Sequence, residues 1–246
     1  MLRMIVVLFS FLLFVPLATA ETIERPFVKP GDTWVYQFTT EQNANQRQGQ
    51  YTEKHYELTV VRAGSTSILI SKRERGSKQP PIEKMVGSEW SKYRSINGEE
   101  AVVSQPLKFP LKPGKSWKLK FIENHPSNQL KYKETQLNYT VIGWEEISVP
   151  AGKFKAIKIE ADGNWKSEPE PSANSSINSR TDQDGITVVT QAKKLRSNPS
   201  TGRLYSAYWY VPEAKVYVKS VEEQFFSNGT LYRRNTEELE SLKVSQ

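Results

Sequence analysis

The sequence predicts an all-β fold: a single domain of strongly curved antiparallel sheet, half-barrel or clam-like in form, with few or no helices. Two observations carry this. Segment after segment alternates large apolar with polar residues at period two, and turns centred on Pro and Gly separate the segments at short intervals. Beyond residue 20 no stretch sustains a 3.6-residue apolar period, although Gln79–Trp90 leaves room for one short helix.

The first twenty residues stand apart from that domain. Arg3 supplies a positive start, Ile5–Val15 is apolar except for Ser10, and Ala18-Thr19-Ala20 is a small-x-small site. This is the three-part pattern of a secretory signal peptide, cleaved after Ala20. The apolar run falls short of the roughly 18–20 residues that span a bilayer, so no stable membrane anchor is expected after cleavage. Residues 21–246 then form the β domain, placed in the periplasm or outside the cell. There is no Cys. That removes disulfides, thiolate metal sites, Cys nucleophiles and the thiol that a lipid-anchored lipoprotein needs. The domain must be held by its core, to which an aromatic content of 11% contributes. The net charge of +7 falls by one when Arg3 is lost. Export makes nucleic acid an improbable partner for that charge; anionic headgroups, acidic polysaccharide or simple solvation with Lys on sheet edges are the alternatives.

The elements follow in order. Lys29-Pro30-Gly31-Asp32 is a turn, and the strand after it sets Trp34, Tyr36 and Phe38 on one face. Glu41–Gln50 is polar and Gln/Asn-rich, a loop. Tyr51–Arg62 is a strand with Tyr56, Leu58 and Val60 inward, and Ser67–Ser71 returns after Ala63-Gly64-Ser65. Asn97-Gly98 suits a two-residue turn of positive φ, joining Trp90–Ile96 to Glu99–Ser104 as a hairpin. Lys112-Pro113-Gly114-Lys115-Ser116 leads into the cleanest alternation in the chain, Trp117, Leu119 and Phe121 against Lys118 and Lys120. A loop over Glu123–Asn128 precedes a long strand, Leu130–Ile142, with Leu137, Tyr139 and Val141 on one face and Trp144–Val149 as its continuation. Pro150-Ala151-Gly152 turns the chain into Phe154–Ala161. Ser, Asn, Pro and Glu dominate from Lys166 to Ser179, so a flexible loop is expected at about 166–185. Ile186–Leu195 reads as a strand, and Leu231–Val244 as the last one.

Between them lies the richest stretch, Leu204–Phe226. Tyr205, Tyr208, Trp209, Tyr210 and Tyr217 fall in it, and Pro212 divides it into two strands joined at Pro212–Ala214. Aromatic residues alternate on both faces of the first strand, which places that strand centrally in the sheet with cover on each side. An echo accompanies it. Lys29-Pro30-Gly31-Asp32-Thr33-Trp34 matches Lys112-Pro113-Gly114-Lys115-Ser116-Trp117 at four of six positions, offset by 83 residues. One device used twice and chance reuse of a common turn both account for it.

Four motifs in order carry a family resemblance. They are Pro30-Gly31-x-x-Trp34; Phe109-Pro110-Leu111-x-Pro113-Gly114-Lys115-Ser116-Trp117; Val149-Pro150-Ala151-Gly152-x-Phe154-x-Ala156; and Tyr208-Trp209-Tyr210-x-Pro212 followed by Val216-x-Val218-Lys219. Together they resemble the TapB-like and related exported bacterial domains of unknown function. The usual pattern of that group has a Gly just before the final Val-Lys, where this chain has Ala214-Lys215. The resemblance implies an antiparallel, curved sheet and no catalytic residues.

Enzyme chemistry finds little footing. His55 and His125 are 70 residues apart with no paired-His spacing, and His55 stands between Glu53 and Glu57 on an outward face. There is no G-x-S-x-G elbow. Gly114-Lys115-Ser116 lacks the earlier Gly of a phosphate loop, since Phe109 stands there. Adjacent pairs such as Glu145-Glu146, Glu222-Glu223 and Glu237-Glu238 point to opposite faces of a strand. The protein is therefore expected not to be an enzyme and to need no cofactor or metal. Six Trp and eleven Tyr favour binding: aromatic faces stack on sugars, and a curved apolar sheet holds acyl chains. The expected partner is a lipid or glycan, with Trp209, Tyr208, Tyr210, Trp117 and Trp34 as candidate ligand-binding residues and Lys118, Lys120, Lys131 and Lys133 facing acidic headgroups. The alternative is a surface interaction or assembly protein with a filled core, and after it a hydrolase with two carboxylates in one cleft. No motif sets the oligomeric state.

Overall fold

The computed structural model describes residues 22–43, 50–170, 172–181, 187–196 and 199–245; the expected signal peptide of residues 1–20 and most of the loop expected at Glu41–Gln50 lie outside them. The described chain is all strand and turn, without a helix. Its strands are β1 (Thr33–Gln42), β2 (Gln50–Ala63), β3 (Ser67–Glu74), β4 (Ile82–Gly87), β5 (Lys92–Ile96), β6 (Glu99–Ser104), β7 (Ser116–Ser127), β8 (Leu130–Val149), β9 (Gly152–Pro169), β10 (Ser172–Thr181), β11 (Thr187–Arg196), β12 (Ser200–Val211), β13 (Val216–Phe225) and β14 (Leu231–Lys243). Ten of them make one antiparallel sheet in the order β4-β3-β2-β1-β14-β13-β12-β9-β8-β7. The sheet is open, since β4 and β7 end it without pairing to each other. It is also strongly curved. The turn after β8 reaches back across the sheet, and Ala151 N–H donates to the Leu239 carbonyl of β14 at 2.8 Å.

Alternation decides which side faces in. Trp34 and Tyr36 of β1, Tyr56 and Val60 of β2, Tyr139 and Val141 of β8, Ile157, Ile159 and Ala161 of β9, and Tyr208 and Tyr210 of β12 are all buried. The chain between β4 and β7 lies over one end of this concave face. It brings Trp90, Ile96, Leu107 and Leu111 into the core. Trp90 meets Trp34 edge to face at 5.3 Å, and Phe109 meets Tyr210 likewise at 5.4 Å, the geometry that the ring quadrupole favours.

Four expectations are corrected. The helix allowed at Gln79–Trp90 is instead β4, paired with β3 from Ser67↔Gly87 to Lys72↔Ile82. Ile82, Met85 and Val86 mimic a helical spacing, but the open edge of β3 supplies a ladder, and tertiary pairing overrides a short local signal. The loop at about 166–185 is largely paired: β9 runs on to Pro169 between β8 and β12, and β10 pairs with β11 over ten residues. Backbone bonds need no apolar side chain, and Thr187, Val188, Val189 and Thr190 add strand preference. The loop at Glu123–Asn128 shrinks because β7 continues to Ser127. Its register breaks between Asn124 and Ser127, with His125 at φ 48°, and such a break is where a strand tolerates Pro126. The aromatic strand β12 does lie inside the sheet, but its cover is uneven: on the outer face Ala207 and Val211 are buried and the aromatics are not. Tyr208 and Tyr210 are buried, while Trp209 and Tyr205 on the other face are only half-buried. The Asn97-Gly98 hairpin is as expected, with φ of 55° and 88° at the two turn residues.

Candidate functional site

Beyond the segment that fills one end, the concave face stays open as two neighbouring clefts of about 220 and 190 Å³. Lys92, at the start of β5, lines both. The sheet explains the rest. Ser220 pairs with Glu237 and Glu222 with Asn235 on the adjacent strands β13 and β14, so alternation turns Glu222 and Glu237 to the same concave side as diagonal neighbours. Diagonal pairs lie about 7–8 Å apart. Their sequence neighbours Glu223 and Glu238 face the other way and pair with Arg234 at 2.7 Å and Lys219 at 2.6 Å.

Tyrosines hold both carboxylates. The Tyr208 hydroxyl donates to Glu222 at 3.0 Å, Tyr56 to Glu237 at 2.5 Å, and Ser220 to the other oxygen of Glu237 at 3.3 Å. Burial, and after it the charge of Glu237, raises the phenols of Tyr56 and Tyr217; burial and then Glu222 raises that of Tyr208. These phenols therefore stay neutral and act as donors. Tyr139 is pushed up to about 12, chiefly by burial. Its hydroxyl lies beside Ser104 and the Gln105 backbone but makes no well-aligned hydrogen bond, so a buried polar atom is left open in the first cleft.

The cations are arranged differently. Lys92 is exposed by area although protein surrounds it on most sides, as befits a side chain in the mouth of a cleft. Burial lowers its basicity, and the charges of Glu237 and Glu222 more than reverse this, so it is raised overall. Lys72 sits 3.6 Å above the Tyr56 ring centroid, and burial lowers it. Among the described residues, Lys72, Lys84, Lys92 and Arg233 have no carboxylate within ion-pair distance. Lys133 is on the concave side too, since it shares the alternation of Leu137 and Tyr139. It feels Glu123, Arg233 and Arg94, and is not on the outer face with Lys118 and Lys120.

The five candidate residues do not converge. Tyr208 lines the first cleft. Trp34 and Tyr210 are wholly enclosed in the core. Trp117 is stacked on Tyr139 at 5.2 Å and 3°, and its indole N–H donates to the Gln105 carbonyl at 3.0 Å. Trp209 lies on the outer face, where its N–H donates to Glu145 at 2.6 Å and Lys158 and Lys219 flank its ring at 5.3 and 5.8 Å. Sequence reading missed Glu222, Glu237, Lys92, Lys72, Tyr56 and Tyr139 as one group. Simple alternation from the Pro212–Lys215 turn would have put Glu223 on the Tyr208 side; the register shift between Trp209 and Tyr210 brings Glu222 there instead, and the β13–β14 register brings Glu237 beside it. His55 stands at 2.9 Å from Glu240 and 3.2 Å from Glu53, and among the described residues no group of three His, Asp or Glu side chains is set to hold a metal ion.

No family model matches the chain, and no curated protein does; the TapB-like resemblance rests on its motifs alone. Among solved structures the chain is similar to a Bacteroides fragilis protein described as exported and as having a YmcC-like fold. The identity is 14%, over 90% of this chain and 99% of that one, with a TM-score of 0.44. It is also similar to a Parabacteroides distasonis protein described as a lipoprotein, with 16% identity over 90% and 99% and a TM-score of 0.42. Likeness at this level carries no function across.

Proposed function

We propose that the protein is a non-catalytic, exported binding module of the cell envelope that holds a hydroxyl-rich, saccharide-type ligand in its concave cleft. The observation that carries this is the cleft lining, in which carboxylates, ammonium groups and neutral phenols converge on an open, partly aromatic surface. Sugars use such mixed donors and acceptors beside a ring face. An acyl chain would desolvate these polar groups without replacing their hydrogen bonds, which disfavours it. The signal-peptide pattern supports export.

A second reading has its own observation. Ile82 and Met85 on the edge strand β4 are 60% and 56% exposed, and an open edge with apolar side chains is a route to strand addition and assembly. Hydrolysis has the carboxylate pair it requires in Glu222 and Glu237, but Lys92 sits by both, whereas a hydrolytic pair needs an apolar surround that keeps one member protonated.

Native mass spectrometry of the purified protein, together with calorimetric titration of neutral and acidic oligosaccharides, tests the binding reading. Bound or titrating glycan supports it. No binding to any saccharide, with dimer or partner complexes that Met85→Lys abolishes, moves the assignment to assembly. Release of reducing ends that Glu222→Gln and Glu237→Gln abolish would make the protein an enzyme.

A further inference from the structure

The saccharide reading leaves open what kind of sugar the cleft prefers, and the unmet hydrogen-bonding capacity of the lining answers it. The acceptors are already engaged in part: Glu222 takes Tyr208 on one oxygen, and Glu237 takes Tyr56 and Ser220 on its two. The donors are not. Among the described residues Lys72, Lys84, Lys92 and Arg233 reach no carboxylate within ion-pair distance, and the enclosed Tyr139 hydroxyl, beside Ser104 and the Gln105 backbone, makes no well-aligned hydrogen bond. Four cations stand against three carboxylates, Glu222, Glu237 and Glu223, the last of them already paired with Arg234, so the lining is net positive. A ligand made only of neutral hydroxyls would satisfy donors and acceptors evenly. This lining asks for an excess of acceptors, ideally charged ones, because hydrogen bonds to an ionised acceptor are about twice as strong as neutral ones.

The placement is also specific. Lys92 lines both clefts, with Lys72 and Lys84 in one and Arg233 and Tyr139 in the other. Lys72 is held over the Tyr56 ring at 3.6 Å. The cations approach from four separate elements: β3, β4, β5 and β14. A solvated run of lysines along one strand would not produce this.

Resting on the saccharide reading, we propose that the ligand is an acidic saccharide whose anionic group, a uronate carboxylate or a sugar phosphate, seats at Lys92 between the two clefts. The shared chemistry is an anion carried on a sugar ring. Polysaccharide and lipid headgroup are two sources of it.

The experiment is calorimetric titration of the chain without residues 1–20 with five probes: oligogalacturonate, its neutral methyl ester, N-acetylglucosamine phosphate, N-acetylglucosamine and inorganic phosphate. The expected result is that at least one acidic saccharide binds about ten-fold or more tightly than its uncharged-substituent counterpart, that affinity falls with added salt, and that Lys92→Gln weakens it about ten-fold. Lys84→Gln, on the exposed edge strand β4, gives a smaller loss in a protein whose thermal midpoint is unchanged, which separates binding from folding. Oligogalacturonate binding points to polysaccharide and N-acetylglucosamine phosphate to a headgroup. Equal or tighter binding of the neutral members overturns the charge inference and keeps the saccharide reading. Inorganic phosphate as tight as N-acetylglucosamine phosphate, or no binding by any probe, overturns both.

Discussion

At residues 29–34 and again at 112–117 the chain makes a Pro-Gly turn that delivers a Trp to the concave face, and the two copies can be compared bond by bond. Gly31 and Gly114 have φ of 90° and 82°. Gly31 N–H donates to Val60 O and Gly114 N–H to Val141 O, both at 2.8 Å, and the return bonds run from Val60 N–H to Asp32 O and from Val141 N–H to Lys115 O. Both partner strands then slip register, between Val60 and Arg62 and between Val141 and Gly143, leaving Val61 and Ile142 exposed. A bulge twists the strand locally, and here it does so at equivalent places in two three-strand runs, β3-β2-β1 and β9-β8-β7. The echo in sequence is thus one structural device used twice. The fourth turn residue is where the copies part. Asp32 is buried and accepts from Lys29 N–H, Lys215 Nζ, Ser245 N–H and Ser245 Oγ at 2.7–3.0 Å, whereas Lys115 donates outward to the Lys108 and Pro110 carbonyls at 2.6 and 2.7 Å. One copy ties the end of the chain into the sheet; the other pins the loop that covers it. The first copy starts a strand inside the sheet, the second starts an edge strand.

The largest difference should appear at the tryptophans. Trp34 is fully enclosed, donates to the Ala214 carbonyl at 2.8 Å and packs on Trp90. Trp117 keeps 6% exposure on the edge strand β7. Large-to-small changes of buried aromatics cost about 3–5 kcal/mol. Trp34→Ala should fall at the top of that range and Trp117→Ala at the bottom, measured as urea midpoints at unchanged m. Equal losses would mean that the two copies are equally embedded.

Asp32→Asn comes next. It leaves Lys215 without its carboxylate and weakens four hydrogen bonds, and breaking such a buried pair costs about 3–5 kcal/mol; the cover over Asp32 is a thin tail, so about 2–4 is expected. The pH dependence carries its own sign. Burial raises the Asp32 carboxyl, but the bonds from Ser245, Lys29 and Lys215 outweigh it and hold it below its ordinary value of 3.8. A carboxyl depressed in the folded state contributes stability above its unfolded value and loses it as pH falls through the folded one. The wild type should therefore lose more stability than Asp32→Asn below about pH 4, and parallel acid-unfolding curves would refute the assignment.

The glycines should behave alike. A Cβ at Gly31 or Gly114 would meet nothing within 4 Å, so only the positive φ opposes Gly→Ala, at about 1–2 kcal/mol. Matched losses at the two positions would show that the turns are equivalent in energy as well as in geometry. A difference above about 1 kcal/mol would break the equivalence.

How far these features could be read from the chain follows the range of the interactions involved. The Pro-Gly turns, the Asn97-Gly98 hairpin and the inward faces of β1, β2, β7 and β8 are local patterns and were legible. The central position of Leu204–Val211 was legible from aromatics on both faces, but not the fact that Tyr205 and Trp209 are less fully covered than Tyr208 and Tyr210. β4 and β10 were missed because partner strands, not their own residues, make them strands, whereas β11 was legible as Ile186–Leu195. The candidate site was the least legible part. Tyr56, Lys92, Glu222 and Glu237 come from four strands, and only the order β2-β1-β14-β13 and the hairpin over the concave face bring them together. Lys215 is instructive here: it takes φ 62°, the conformation that favours Gly, and its ammonium bonds Asp32 at 3.0 Å. What reads as a lost Gly in the family-like pattern is the partner of a carboxylate far away in sequence.

The smallest effect is expected at the residue that replaces Asp32 in the second copy. Lys115 is half-buried, and burial, with Lys108 and Lys112 nearby, lowers its basicity despite Glu89 and Glu24. Its acceptors are backbone carbonyls, which offset part of the desolvation of an ammonium but supply no countercharge. Lys115→Met keeps the side-chain stem packed, removes the desolvated charge and frees two carbonyls that lie near solvent. The terms nearly cancel, and a change of less than about 1 kcal/mol is expected, the scale of a single net hydrogen bond. Local protection should still change: amide exchange in residues 105–111 should quicken while that in β8 and β9 stays put. A loss as large as that of Asp32→Asn would show that the second turn is held through its fourth residue as tightly as the first, and the division of labour between the two copies would disappear.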